Sequence, residues 1–133
     1  MAMNPVYFET LFAVAAPPSD WPAAFAIITA YATTGEEWNE EENRAADARL
    51  EMVLRERGVW MQRITGYSPR TGHAEPGWAV AVSFDSACDL GRQFRQDAIY
   101  YVEGDALFVS YCDTRCQLEP VGPFRVRVRE QTG

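Results

Sequence analysis

Thirteen residues, Gly66-Tyr67-Ser68-Pro69-Arg70-Thr71-Gly72-His73-Ala74-Glu75-Pro76-Gly77-Trp78, constrain the fold more than any other stretch of the chain. Two prolines and three glycines lie within it, so it reads as a long connection and neither a helix nor a central strand. Runs of strand character, 59–66 and 78–84, flank it on either side. The connection also holds the only histidine of the chain, His73, among several side chains able to bond a ligand.

The remaining segments fall into order around this connection. Phe25-Ala26-Ile27-Ile28 opens a nearly unbroken apolar run over 25–31, the pattern of a strand buried on both faces. Asn39 and Glu42 form a capping pair for a helix over 40–57, with Ala46, Leu50, Val53 and Leu54 on its inner face and Gly58 as its left-handed stop. A second helix follows 78–84, capped by Ser83 or Asp85, with Ala87, Leu90, Gly91 and Phe94 facing inward. Gly91 inside that helix costs about 1 kcal/mol relative to alanine and so marks a close helix–sheet contact. Strands over 98–103 and 106–111 are joined by the hairpin turn Gly104-Asp105. Phe124, Val126 and Val128 alternate with Arg125, Arg127 and Arg129, which predicts a half-buried strand over 124–129 whose arginines guard an edge. Residues 6–14 fit a short helix or a strand, 17–22 must be a loop, and the segment 1–24 is expected on the main body as an edge or lid.

The order strand, helix, strand, strand, helix, strand predicts an α+β fold, the ferredoxin-like split β-α-β sandwich, with an antiparallel-rich sheet, both helices on one face and extra C-terminal strands. At 133 residues the chain is expected to form a single domain, with a core over about 25–111. Alternating strand directions bring three loops, 32–39, 66–77 and 95–97, to one end of the sheet. Thr33, Thr34 and Glu36 come from the first, Ser68, Arg70, His73 and Glu75 from the second, and Arg95, Gln96 and Asp97 from the third. Thr29 sits at the end of the strand leading to them. Loops on a rigid scaffold carry function more often than the elements do, although polar residues also gather in loops for solvation alone.

The formal net charge of -7 argues against nucleic acid as a partner, because phosphate affinity rests on cations. No apolar run approaches the roughly 20 residues that span a bilayer, and no export signal is evident, so the chain reads as cytoplasmic. Cys88, Cys112 and Cys116 are an odd set in that setting and read as reduced, buried thiols. With His73 they total a possible zinc set, but the spacing fits no compact zinc knuckle, and neither metal nor cofactor is expected.

Several stretches follow one another as in a known family. These are 25–30, Glu42-Asn43 with Leu50, Ile64-Thr65-Gly66, Ser68-Pro69, His73, Glu75-Pro76-Gly77-Trp78, and 90–100 with its Gln96-Asp97-Ala98-Ile99 core. In these residues the chain resembles the small bacterial family known as domain of unknown function 3293, over roughly 25–111. The resemblance implies no established activity. Members usually carry Asn-Pro after the first strand, where this chain has Ala32-Thr33, and Gly-Gln-Asn before the fourth, where it has Arg95-Gln96-Asp97.

Two functions fit these residues. The first is a non-catalytic binding module that takes a small ligand or protein partner on its loop cluster or open sheet face, where a homodimer could also form. Its ligand residues would be Thr29, Ser68, Arg70, His73, Glu75, Arg95, Gln96 and Asp97. The second is a small hydrolase-like or transferase-like enzyme. There His73 and Glu75 act as an acid–base pair with Asp97, since imidazole titrates near neutrality and a carboxylate can orient it. Glu36, Glu37, Glu40, Glu41 and Glu42 crowd the start of the first helix, so a cationic ligand is electrostatically easier than a phosphate.

Overall fold

Alternation along the strands sorts the apolar side chains into two clusters, one on each face of the sheet. The computed structural model describes residues 5–31 and 39–130; Thr33, Thr34 and Glu36 of the expected first loop lie outside them. The chain runs through a 3-10 turn at Pro5–Phe8, β1 Leu11–Val14, β2 Ala24–Thr29, α1 Glu40–Arg57, β3 Met61–Tyr67, β4 Ala74–Val80 and α2 Phe84–Gln93. It continues through β5 Ala98–Glu103, β6 Ala106–Tyr111, β7 Glu119–Pro123, a second 3-10 turn at Arg125–Arg127 and β8 Val128–Glu130. The strands form one mixed sheet in the order β7-β6-β5-β2-β4-β3-β1-β8, antiparallel except where β1 meets β8. The fold is α+β.

Local chemistry fixes the helices. Asn39 Oδ1 accepts the Glu42 N–H at 2.7 Å, and Gly58, at φ 65°, ends α1 with its N–H bonded to the Arg55 carbonyl. Ser83 caps α2. Ala46, Leu50 and Leu54 of α1 and Ala87 and Leu90 of α2 share a core cluster with Ala26, Ile28, Val80, Ile99 and Tyr101 of the sheet. A Cβ on Gly91 would fall inside the radius of Cys112 Sγ, so α2 sits as tightly on the strands as a helix can. Asp47, buried in α1, takes a two-pronged bond from Arg63 at 2.8 and 2.6 Å, and that guanidinium lies 4.5 Å over the Trp78 ring. Among the described residues no helix is long and apolar enough to cross a membrane.

The opposite face is not open. Phe12 of β1 and Tyr100 of β5 have three strands between them, yet their rings meet edge to face with centroids 5.3 Å apart. A flat sheet would hold them about 19 Å apart at ordinary strand spacing. The sheet therefore rolls, and Phe12, Phe25, Ile27, Val102, Leu107 and Phe124 fill its concave side. Phe124 follows β7 at one end of the sheet and leads through the second 3-10 turn to β8 at the other, so a few residues join the two ends. The expected exposed face, with its room for a partner or a second copy, is instead a second hydrophobic core.

Other expectations also need correcting. Residues 124–129 are not one strand: Phe124 N–H bonds to the Asp105 carbonyl at 2.8 Å and Arg125 N–H to Asp105 Oδ1 at 2.9 Å. Those two bonds pull the backbone out of strand register, leaving Val126 66% exposed. The segment 1–24 supplies an internal strand as well as a turn, because β1 lies between β3 and β8. Ala74 to Trp78 belong to a central strand despite Pro76 and Gly77. The paired residues explain how: Pro76 faces Thr65 of β3, while pairing with β2 reaches no further than Gly77. Gly77 is there for closeness, since a Cβ would lie 2.5 Å from the Ile28 carbonyl oxygen. Finally, Cys88 and Cys116 form a disulfide, and only Cys112 remains a buried thiol. The four-residue zinc set is not assembled.

Candidate functional site

Four strands have ends at one pole of the sheet: β2 and β3 finish there, β4 and β5 begin there. The first 3-10 turn and Thr10 come against the same pole. Between them lies a cavity of about 140 Å³. Thr29, Ser68, His73, Glu75, Gln96 and Asp97 all line it. They come from three separate segments.

Each is held by a different means. The Thr29 hydroxyl donates to Gln96 Oε1 at 2.9 Å, and Gln96 Nε2 donates to the carbonyls of Tyr31 at 2.8 Å and Phe94 at 3.2 Å. Gln96 is thus bonded at both ends of its amide and braces the rim. Ser68 closes its loop on itself: its N–H bonds to the His73 carbonyl at 2.9 Å, its own carbonyl accepts from Gly72, and its Oγ accepts from Thr71 N–H at 3.4 Å. Gly72 takes φ 75°, a backbone state that suits glycine there.

His73 projects at the mouth, 71% exposed, with Nε2 3.7 Å from Glu75 Oε2. That separation allows charge attraction but exceeds direct hydrogen-bond reach. Glu75 is partly buried, and desolvation pushes its carboxyl above the ordinary range, opposed by the nearby imidazole. Burial, and then the carboxylates of Asp97 and Glu75, push the Tyr7 phenol up to about 12. Burial raises Tyr100 as well.

Two expected residues lie elsewhere. Arg70 pairs with Glu9 on the outside of the loop, tying it to the N-terminal segment. Arg95, at φ 57°, turns into a larger groove of about 700 Å³ between the helices, beside Arg49, Met52, Val53 and Phe94. Conversely, Tyr7, Thr10, Tyr67 and Tyr100 line the cavity without having been singled out from the sequence. For Tyr100 a signal existed, because alternation puts it on the opposite face from Ile99 and Tyr101. Nothing in the local pattern of Tyr7 places it there.

Among the described residues no group of three or more metal-ligating side chains gathers. The Ser68 Oγ contact is with backbone and not with the imidazole, so no serine–histidine pairing is present at this pole. A family model described as "Protein of unknown function (DUF3293)" matches residues 28–99, more than half of the chain. No curated protein and no solved structure matches. The matched span contains all six expected cavity residues and leaves Tyr7, Thr10, Phe12 and Tyr100 outside it.

Proposed function

The chain belongs to the DUF3293 family of proteins of unknown function, and we propose that it is a non-catalytic binding module taking a small ligand in the cavity at this pole. The observation that carries this reading is the convergence of Thr29, Ser68, His73, Glu75, Gln96 and Asp97 on one concave space. Its volume of about 140 Å³ suits a compact molecule, since a cavity of roughly 150 Å³ holds benzene. We read the central strands as a ferredoxin-like split β-α-β unit; the order β5-β2-β4-β3, with antiparallel neighbours throughout, supports this. That topology gives the reason distant segments meet at one pole.

A second reading has one observation in its favour. A carboxyl pushed up by burial, as Glu75 is, can hold and deliver a proton, so a small hydrolase-like or transferase-like enzyme could use Glu75 and His73 with Asp97. The exposure of His73 and its 3.7 Å gap to Glu75 favour binding over catalysis.

A thermal-shift screen of small metabolites on wild type, His73→Ala and Asp97→Asn tests both readings. A ligand at a hundred times its Kd adds about 2.7 kcal/mol of stability. A cavity ligand should stabilise wild type and lose much of that effect in Asp97→Asn. Equal stabilisation of all three proteins would place the ligand elsewhere and overturn the proposal. Conversion of a bound compound by wild type but not by His73→Ala, followed by NMR of the compound, would favour the enzyme.

A further inference from the structure

Resting on the cavity reading above, we infer that the ligand is a small organic cation, an alkylammonium or guanidinium group, held by Glu75 and Asp97 between aromatic walls. Charge comes first. Among the described residues the cavity lining includes two carboxylates and no arginine, and its one basic side chain, His73, stands exposed at the mouth. Of the nearby guanidinium groups, Arg70 pairs with Glu9, Arg95 lines the groove between the helices, and Arg127 stays outside the lining, bonded to the Thr10 carbonyl behind it at 3.1 Å. An anion would enter against partly buried Glu75 and against Asp97, exposed at the rim, and would be repelled by both carboxylates.

Hydrogen-bonding capacity points the same way. The Thr29 hydroxyl is spent on Gln96 Oε1, the Gln96 amide on the carbonyls of Tyr31 and Phe94, and the Tyr100 hydroxyl donates to the Tyr7 carbonyl at 2.7 Å. The carboxylate oxygens of Glu75 and Asp97 remain as acceptors for a ligand, beside the hydroxyls of Tyr7, Ser68 and Tyr67, which can accept as well as donate. An ammonium or guanidinium offers only donors. Tyr7, Phe12, Tyr67 and Tyr100 add aromatic rings to the lining, and a cation within about 6 Å of a ring face is attracted by its quadrupole. A bound cation would also relieve the desolvated Glu75 carboxylate, which burial now disfavours in its charged form.

The test is an amide NMR titration of the full chain at constant ionic strength with ethylammonium, propionate and 1-propanol, following Ser68, Gln96 and Ala98. Ethylammonium should shift these amides saturably, and the Glu75→Gln/Asp97→Asn pair should weaken it at least tenfold; should the pair fail to fold, Asp97→Asn alone should cost at least threefold. Ethylammonium shifts that stay linear, or that survive the substitutions unchanged, overturn the cation. If propionate or propanol saturates the same amides while ethylammonium does not, the charge class is wrong and the cavity stands as a binding site. If none of the three, nor a wider set of neutral and anionic compounds, moves those amides, the cavity reading falls as well.

Discussion

The hydroxyl of Tyr100 donates to the backbone carbonyl of Tyr7 at 2.7 Å, linking residues 93 apart in the chain. Through it β5 holds the N-terminal 3-10 turn in place as a wall of the cavity. Tyr100→Phe keeps the ring against Phe12 and removes this bond together with the contact of the same hydroxyl with Thr10 Oγ1 at 2.8 Å, so it should cost about 1–3 kcal/mol in urea unfolding. The Glu9 amide, which closes the turn on the Val6 carbonyl, should exchange its hydrogen faster in the variant. Unchanged Glu9 exchange would mean that the turn is held by something else.

Phe124 is 1% exposed and touches Phe12, Trp21 and Phe25, with ring centroids 5.1 to 5.6 Å apart. Phe124→Ala should therefore destabilise the chain by about 3–5 kcal/mol and weaken the near-ultraviolet circular dichroism of the concave aromatic cluster. Val126→Ala, two residues on, changes an exposed side chain and should stay within about 0.5 kcal/mol. Similar losses from both substitutions would argue against the roll.

The disulfide between Cys88 and Cys116 spans 28 residues and ties α2 to the segment after β6. Loop-closure entropy predicts that reduction lowers stability by about 2–4 kcal/mol, measurable as a shift in urea midpoint with dithiothreitol. The third thiol should stay silent. Burial pushes Cys112 up to about 12 from an ordinary 9.0, so its thiolate is about a thousandfold scarcer than that of an ordinary thiol. Iodoacetamide at pH 8 should leave the native chain unlabelled; after reduction, Cys116, less buried than Cys88 and Cys112, should react first. Prompt labelling of Cys112 in the folded protein would contradict its burial.

Glu75 gives the pH dependence a definite sign. Its carboxyl is raised in the folded chain, so the folded state holds the proton more readily than the unfolded one. The stability linked to that proton is complete below the ordinary value of 4.5 and is lost as pH rises through the raised folded value. Glu75→Gln should accordingly melt higher than wild type at pH 7, and the two should converge near pH 4. The titratable groups that interact with Glu75 are His73, Tyr7 and Tyr100, and His73 opposes the shift, so repeating the comparison in His73→Ala should widen the gap at pH 7.

Legibility followed the range of the interactions. Asn39, Gly58 and Gly104-Asp105 act within a few residues of themselves, and the bounds of α1, β5 and β6 could be read from them. Pro76 misled because a proline is excluded from a strand only where its missing N–H would be used, and β2 stops short of it. The arginine alternation after Phe124 misled because two bonds to Asp105, some 20 residues away, override the local period. The rolled sheet and the Cys88–Cys116 pairing depend on contacts that no local pattern encodes. At the candidate site, chain direction alone gathered Thr29, Ser68, His73, Glu75, Gln96 and Asp97, while Tyr7 needed the roll to bring it near.

The roll also sets a minimum length for a stable relative. The family match covers α1, β3, β4 and α2 whole and β2 and β5 only in part. Phe12, Leu107 and Phe124, which cover the inner side of those strands, all come from outside it. A chain trimmed to the shared segment would present Ile64 and Ala79 to water as the base of a greasy trough, with raw strand edges on either side. Such a fragment would aggregate unless some other polypeptide supplied the missing lining.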